Sequence, residues 1–412
     1  MLRIEMLPVA HGDCLWIEYG AGSGIHRILI DGGPAQTYAA LRERILHLPA
    51  RERRFDLLVI THIDGDHIEG VVRLLQDAEA LGCVFDRIWF NGREQLNKIP
   101  DPAGAPLGAL QGEMLGVLIA DYERRTGTRV WNAGLPEGLA AIDRRRGDLP
   151  VVELPGECRL TLLSPDHERL LALKDGWADE LRAARMASGD VDALRRKLAE
   201  SRTLRPLGDV LGGASGEVPE EGGEERGGEG RFELPDMHDR DVAGGPQDTL
   251  GGGESEPGGD APFGGDGSLA NGSSIALLLE YPKDAPEVRL LLAGDAWPAV
   301  IEASVVRLLQ GGPQRLALDG FKLPHHGSVA NITPTLLQKL SCQNYLISTS
   351  GAVFRHPHAR AVELVLAGHT ARGRPRLHFN YLTSTTSRWA DAGDQQTRGY
   401  EACHPKGVSL TL

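Results

Sequence analysis

The chain has 412 residues, with 57 Asp and Glu against 44 Lys and Arg, and a formal net charge of −13. No run approaches the ~20 apolar residues of a membrane helix, and residues 1–7 lack the cationic-then-apolar form of a signal peptide. Five scattered cysteines suit reduced thiols better than a disulfide framework or a zinc–thiolate knot. A cytoplasmic protein that does not span a membrane is expected. The acidity is local: residues 206–270 carry 16 Asp and Glu against three Arg, leaving 41 acids and 41 bases elsewhere. A polyanionic substrate is therefore not excluded by the total.

Short strands are predicted at 2–7, 14–19 and 26–30, the last running into Asp31-Gly32-Gly33. A helix follows at 38–48. Residues 55–61 (FDLLVIT) form a near-continuous apolar run, as in a strand buried on both faces. The run ends abruptly in His62-Ile63-Asp64-Gly65-Asp66-His67, with a helix predicted over 68–78. Further elements are expected as a strand at 87–91, a helix at 108–126 and a strand at 159–163. Residues 166–205 read as inserted charged helices, and 206–270, rich in Gly, Glu and Asp, as a disordered insertion. Order is expected to resume with strands at 274–281 and 288–293, Gly294-Asp295, a helix at 300–309, and a strand at 320–323. That strand leads into Pro324-His325-His326-Gly327-Ser328. A strand at 345–348 precedes a loop with His356-Pro357-His358, and strands at 377–379 and 408–412 are expected to close the sheet. Residues 1–165 and 271–412 thus read as two halves of one α/β fold.

His62, Asp64, Asp66 and His67 place two imidazoles and two carboxylates within six residues at the end of a buried strand. Such groups are costly neighbours unless a cation neutralises the acids and accepts the imidazole lone pairs. Mixed N/O ligation suits Zn²⁺, Mn²⁺ or Fe²⁺. Asp295, the pair His325 and His326, and the pair His356 and His358 also follow predicted strands. Each alone is compatible with a turn, a cap or a solvated loop. Together they predict convergence at one sheet edge.

The ordered set resembles the metallo-β-lactamase superfamily, in the branch that includes the soluble hydrolase domain of ComEC-type competence proteins. H-x-D-x-D-H corresponds to His62 through His67, and P-H-H-G-S to Pro324 through Ser328. Supporting matches are His11-Gly12-Asp13-Cys14, Asp31-Gly32-Gly33, Leu163-Ser164-Pro165, Asn271-Gly272-Ser273-Ser274, Gly294-Asp295 and His356-Pro357. The resemblance covers about residues 1–165 and 271–412. It implies a four-layer αββα sandwich and two divalent cations, Zn²⁺ or alternatively Mn²⁺.

By the same resemblance, His62 and Asp64 hold one cation, Asp66 and His67 the other, and Asp295 bridges them. One of His325 and His326 adds a ligand. Asp31 is an outer carboxylate orienting a ligand histidine. Asp66 and Asp295 would position a hydrolytic water, and His325, His326 or His356 would protonate a leaving group. Lys322 and Ser328 are candidates to steady a phosphate, or packed residues. His358 stands beside the substrate or behind a ligand.

The family's usual separate ligand histidine between the first motif and the bridging Asp has only His167 and His238 as candidates here. The implied function is a phosphodiesterase or nuclease acting on nucleic acid, with a protein partner as a further expectation. Hydrolysis of a thioester or lactone, and a non-catalytic binding module, are the alternatives.

Overall fold

A computed structural model describes residues 1–22, 24–99, 110–174, 265–405 and 407–412. The predicted disorder of 206–270 lies outside the described residues up to 264, as do the predicted inserted helices beyond 174. Residues 167–174 are helical. The boundary expected at 270 falls too late. Ser268 caps the short helix Leu269–Gly272 through Asn271 N–H, and Ala270 packs in the core.

The strands in chain order are β1 (Leu2–Met6), β2 (Leu15–Ala21), β3 (Gly24–Ile30), β4 (Arg54–Phe55), β5 (Leu57–Val59), β6 (Val84–Phe85) and β7 (Ile88–Trp89). They continue as β8 (Val151–Leu154), β9 (Cys158–Ser164), β10 (Ala276–Tyr281), β11 (Val288–Leu292) and β12 (Leu316–Lys322). The last four are β13 (Leu340–Ile347), β14 (Arg376–Phe379), β15 (Glu401–Cys403) and β16 (Val408–Thr411). One sheet has the order β16-β1-β2-β3-β5-β7, and a second runs from β15 down to β8 in descending order. The first is antiparallel from β16 to β3 and parallel from β3 to β7. The second is parallel from β11 to β15 and antiparallel from β8 to β11. The chain is thus a mixed α/β protein with layered sheets and helices.

Side-chain alternation explains the layering. In β3 and β5, Ile28, Ile30, Leu57 and Val59 join one apolar cluster with Leu162, Leu279, Leu290 and Phe321 of the second sheet. Their neighbours Leu29, Leu58 and Ile60 face the other way, onto helices α1 (Tyr38–Leu46) and α2 (Gly65–Leu81) through Leu41, Ile45, Val71 and Leu75. This is the two-faced burial that the apolar run at 55–61 predicts. The run is nevertheless broken: Arg54–Phe55 pairs with β6, while Leu57–Val59 lies between β3 and β7. Asp56 sits at the break and accepts from Arg27 N–H (2.9 Å).

The expected closing strands part company. Leu377 lies on β14 in the second sheet, whereas Val408 on β16 pairs with Met6 on β1. Within each sheet the parallel strands share a direction, so the segments after β3 and β5 leave from one edge of the first sheet and those after β11, β12 and β13 from one edge of the second.

Candidate metal centre

The turn after β3 and the start of α2 are locked together by backbone contact. Gly32 N–H donates to His67 O (2.9 Å) and Gly70 N–H to Gly33 O (2.8 Å). A Cβ on Gly70 would stand 2.0 Å from Gly32 O, so only glycine permits this approach. The contact brings Asp31 against the first turn of α2. Asp64 holds the position before that helix in an extended conformation, and the left-handed Gly82 ends it.

His67 Nδ1 lies 2.8 Å from Asp31 Oδ2. A carboxylate only accepts here, so Nδ1 carries the proton and the Nε2 lone pair faces inward. Thr61 O–H donates to the same Asp31 Oδ2 (2.7 Å), leaving its oxygen to accept from His62 Nδ1 (2.9 Å). His326 Nδ1 donates to Ser348 O (2.8 Å). His325 Nδ1 donates to Asn331 Oδ1 (3.0 Å), because Asn331 Nδ2 donates to Asp266 Oδ2 (2.9 Å). Each ring is therefore fixed from behind, with Nε2 as its free acceptor.

All four Nε2 atoms surround one oxygen. Asp295 Oδ2 lies 3.4 Å from His67, 3.6 Å from His326, and 3.9 Å from each of His62 and His325. His67 and His326 bring Nε2 to Nε2 at 3.3 Å. Two lone pairs at that distance repel unless a proton or metal cation intervenes. Asp64 Oδ2 stands 3.5 Å from His62 Nε2, and Asp66 reaches His326 Nε2 (3.5 Å) and His67 Nε2 (4.0 Å). His62 Nε2 and Asp295 Oδ1 are buried with no hydrogen-bond partner among the described residues, and a cation between them would satisfy both. The buried cluster of Asp13, His67, Asp295 and His326 could hold a metal ion, its ligand atoms lying within 4.8 Å of one another.

The electrostatics agree. Burial opposes charge on His67, yet Asp295, Asp66 and Asp31 raise its pKa well above the ordinary value. His326 is likewise raised to about 9 against its burial, chiefly by Asp295 and Asp13. Asp295 is held well below the carboxylate range, despite burial, by His67, His326 and His325. The cluster therefore favours positive charge at its centre, which a metal cation supplies without protonating its ligands.

The other expected site residues occupy the periphery. The His356 ring is 5.0 Å from that of His325 and 4.7 Å from that of His358. His358 Nδ1 accepts from Val329 N–H (3.0 Å), placing it behind His356. Ser328 is buried and its hydroxyl accepts from Ala330 N–H. Lys322 is fully buried, its ammonium on Asp13, and so forms part of the floor; of its two expected roles, the packed one matches. His167 begins the helix 167–174, half-buried and outside the cluster; His238 lies outside the described residues.

Sequence reasoning did not single out Asp13 as a site residue. It lies 3.4 Å from His326 Nδ1, and its carboxyl is lowered to about 2 against burial, first by Lys322 and then by His326. The H-G-D-C turn was its only signal. Asp266 and Asn331 were missed as well, having no motif around them. No protein-family model and no curated protein matches the chain, so the site's chemistry rests on its geometry.

Proposed function

We propose that this chain is a metal-dependent phosphodiesterase acting on nucleic acid, built as the αββα sandwich of the metallo-β-lactamase superfamily. The observation that carries the reading is the convergence of four imidazole Nε2 atoms on Asp295 Oδ2, each ring oriented by a partner behind it. Such a donor set fits two divalent cations, Zn²⁺ or Mn²⁺. His62 and Asp64 would hold one, and Asp66, His67 and His326 the other, with Asp295 between them. A cation pair, when bound, supplies hydroxide at neutral pH and offsets charge on a phosphoryl group.

The chain's own residues then divide the work. Asp66 and Asp295 orient the attacking water. His325 or His356, once it has taken up a proton at a ring nitrogen, delivers it to the departing alkoxide. Asp31 and Thr61 keep His62 and His67 in the ligating tautomer. Outside the acidic segment 206–270 there are 41 basic and 41 acidic residues, leaving the body neutral toward a polyanion.

The test is metal content coupled to phosphodiester hydrolysis with and without added Zn²⁺ or Mn²⁺. The wild type should hold about two metals per chain, and Asp66→Ala and Asp295→Ala should lower turnover on the order of 1,000-fold. Metal with turnover only of thioesters or lactones would shift the substrate class. A protein that takes up no metal under any loading would be a binding module.

A further inference from the structure

Eight large hydrophobic residues are exposed among those described, and two of them, Val353 (56%) and Phe354 (44%), are adjacent beside the metal centre. They lie on the loop between Ser348, which anchors His326, and His356. The Phe354 ring stands 5.6 Å from that of His11 and 6.1 Å from that of His356, which is itself 5.0 Å from His325. A continuous line of rings thus leads from the cluster to an exposed aromatic side chain. Arg355 beside them is exposed as well.

The loop is braced. Ser350 N–H donates to Ala10 O (2.7 Å), Arg355 N–H to Gly351 O (3.1 Å), and Thr385 O–H to His356 O (3.0 Å). Arg355 is held at φ +56°, a strained conformation for a residue with a side chain. Strain and exposed apolar area kept together next to a reactive centre are the marks of a preformed ligand contact.

We propose that Phe354 and Arg355 form a subsite for single-stranded nucleic acid. Phe354 stacks on an unpaired base next to the scissile phosphodiester, and Arg355 holds a neighbouring phosphate. A phenyl ring beside an exposed cation matches a base beside an anion, and a base offers its face only where the strand is unpaired. The inference rests on the phosphodiesterase reading and deepens it.

The test is binding by fluorescence anisotropy in EDTA, with labelled pentathymidylate and pentauridylate beside counterparts that have the same backbone but no bases. Phe354→Ala should weaken binding of the base-bearing strands about 5- to 100-fold and leave the abasic ones unchanged. Phe354→Trp should preserve the preference. Arg355→Ala should weaken both kinds of strand and lower the salt slope by about one. Metal content should stay at the wild-type level in all three variants. An unchanged preference for bases in Phe354→Ala would overturn the subsite. If the metal-loaded wild type still cleaves both kinds of strand, the subsite falls alone; if it neither binds nor cleaves any strand, the phosphodiesterase reading falls with it.

Discussion

At the scale of single residues, Asp31 has the widest influence on the centre. One carboxylate fixes His67 directly and His62 through Thr61, and also accepts from Thr61 N–H (2.8 Å). It does so at φ +60°, and His325 and His326 are left-handed as well. Asp31→Asn would turn an acceptor into a partial donor and permit the wrong tautomer. Metal affinity should fall about 10- to 100-fold, as read by competition with a chromophoric chelator. Unchanged affinity would mean that the rings are oriented by packing alone. A second residue sets a pH limit away from the centre. His378 is buried between Asn344 and Cys403, and burial, then Arg376, lowers its pKa to about 4. The folded state thus holds it neutral, while the unfolded chain binds a proton near pH 6.5. The stability it contributes is present above pH 6.5 and is lost as pH falls toward 4, by up to about 2 kcal/mol at pH 5. Urea midpoints at pH 7.5 and 5, measured in EDTA, should differ less in His378→Gln than in the wild type.

At the scale of elements, the junction of Gly32 with Gly70 decides where α2 delivers Asp66 and His67. Gly70→Ala forces the helix away from the turn after β3. It should cost about 1–3 kcal/mol and reduce metal content even where circular dichroism shows the fold retained. Full metal occupancy in that variant would show that the centre tolerates a displaced α2. Much at this scale could be read from the sequence, because buried strands announce themselves by apolar runs and the candidate ligands sit at their ends. The spacing of His62, Asp64, Asp66 and His67 needed no tertiary information. Asp13 and Lys322 did, since their pairing spans most of the chain and neither lies in a local pattern that favours it. The break at Asp56 was hidden because hydrophobicity continues across it while the pairing partner changes. The helix Ala359–Ala367 was absent from the predicted elements, since Pro357 and the neighbouring histidines read as loop.

At the scale of the whole molecule, the centre joins what the chain keeps apart. His62, Asp64, Asp66 and His67 precede residues 175–264, and Asp295, His325 and His326 follow them. Bound metal should therefore tie the two sheets together. At metal concentrations about 1,000-fold above Kd the gain is about 4 kcal/mol, seen as a rise in Tm on adding Zn²⁺ that Asp295→Ala abolishes. A wild-type Tm indifferent to metal would argue against a cross-sheet tie. The pairing of β1 with β16 bears on a different moment in the protein's life. β1 is translated about 400 residues before β16, its outer neighbour. While the ribosome works through the interval, that edge of the first sheet presents unsatisfied backbone donors and acceptors to any passing strand. A nascent chain of this topology is most exposed to misassembly before β16 arrives, and chaperone occupancy on translating ribosomes would concentrate in that window.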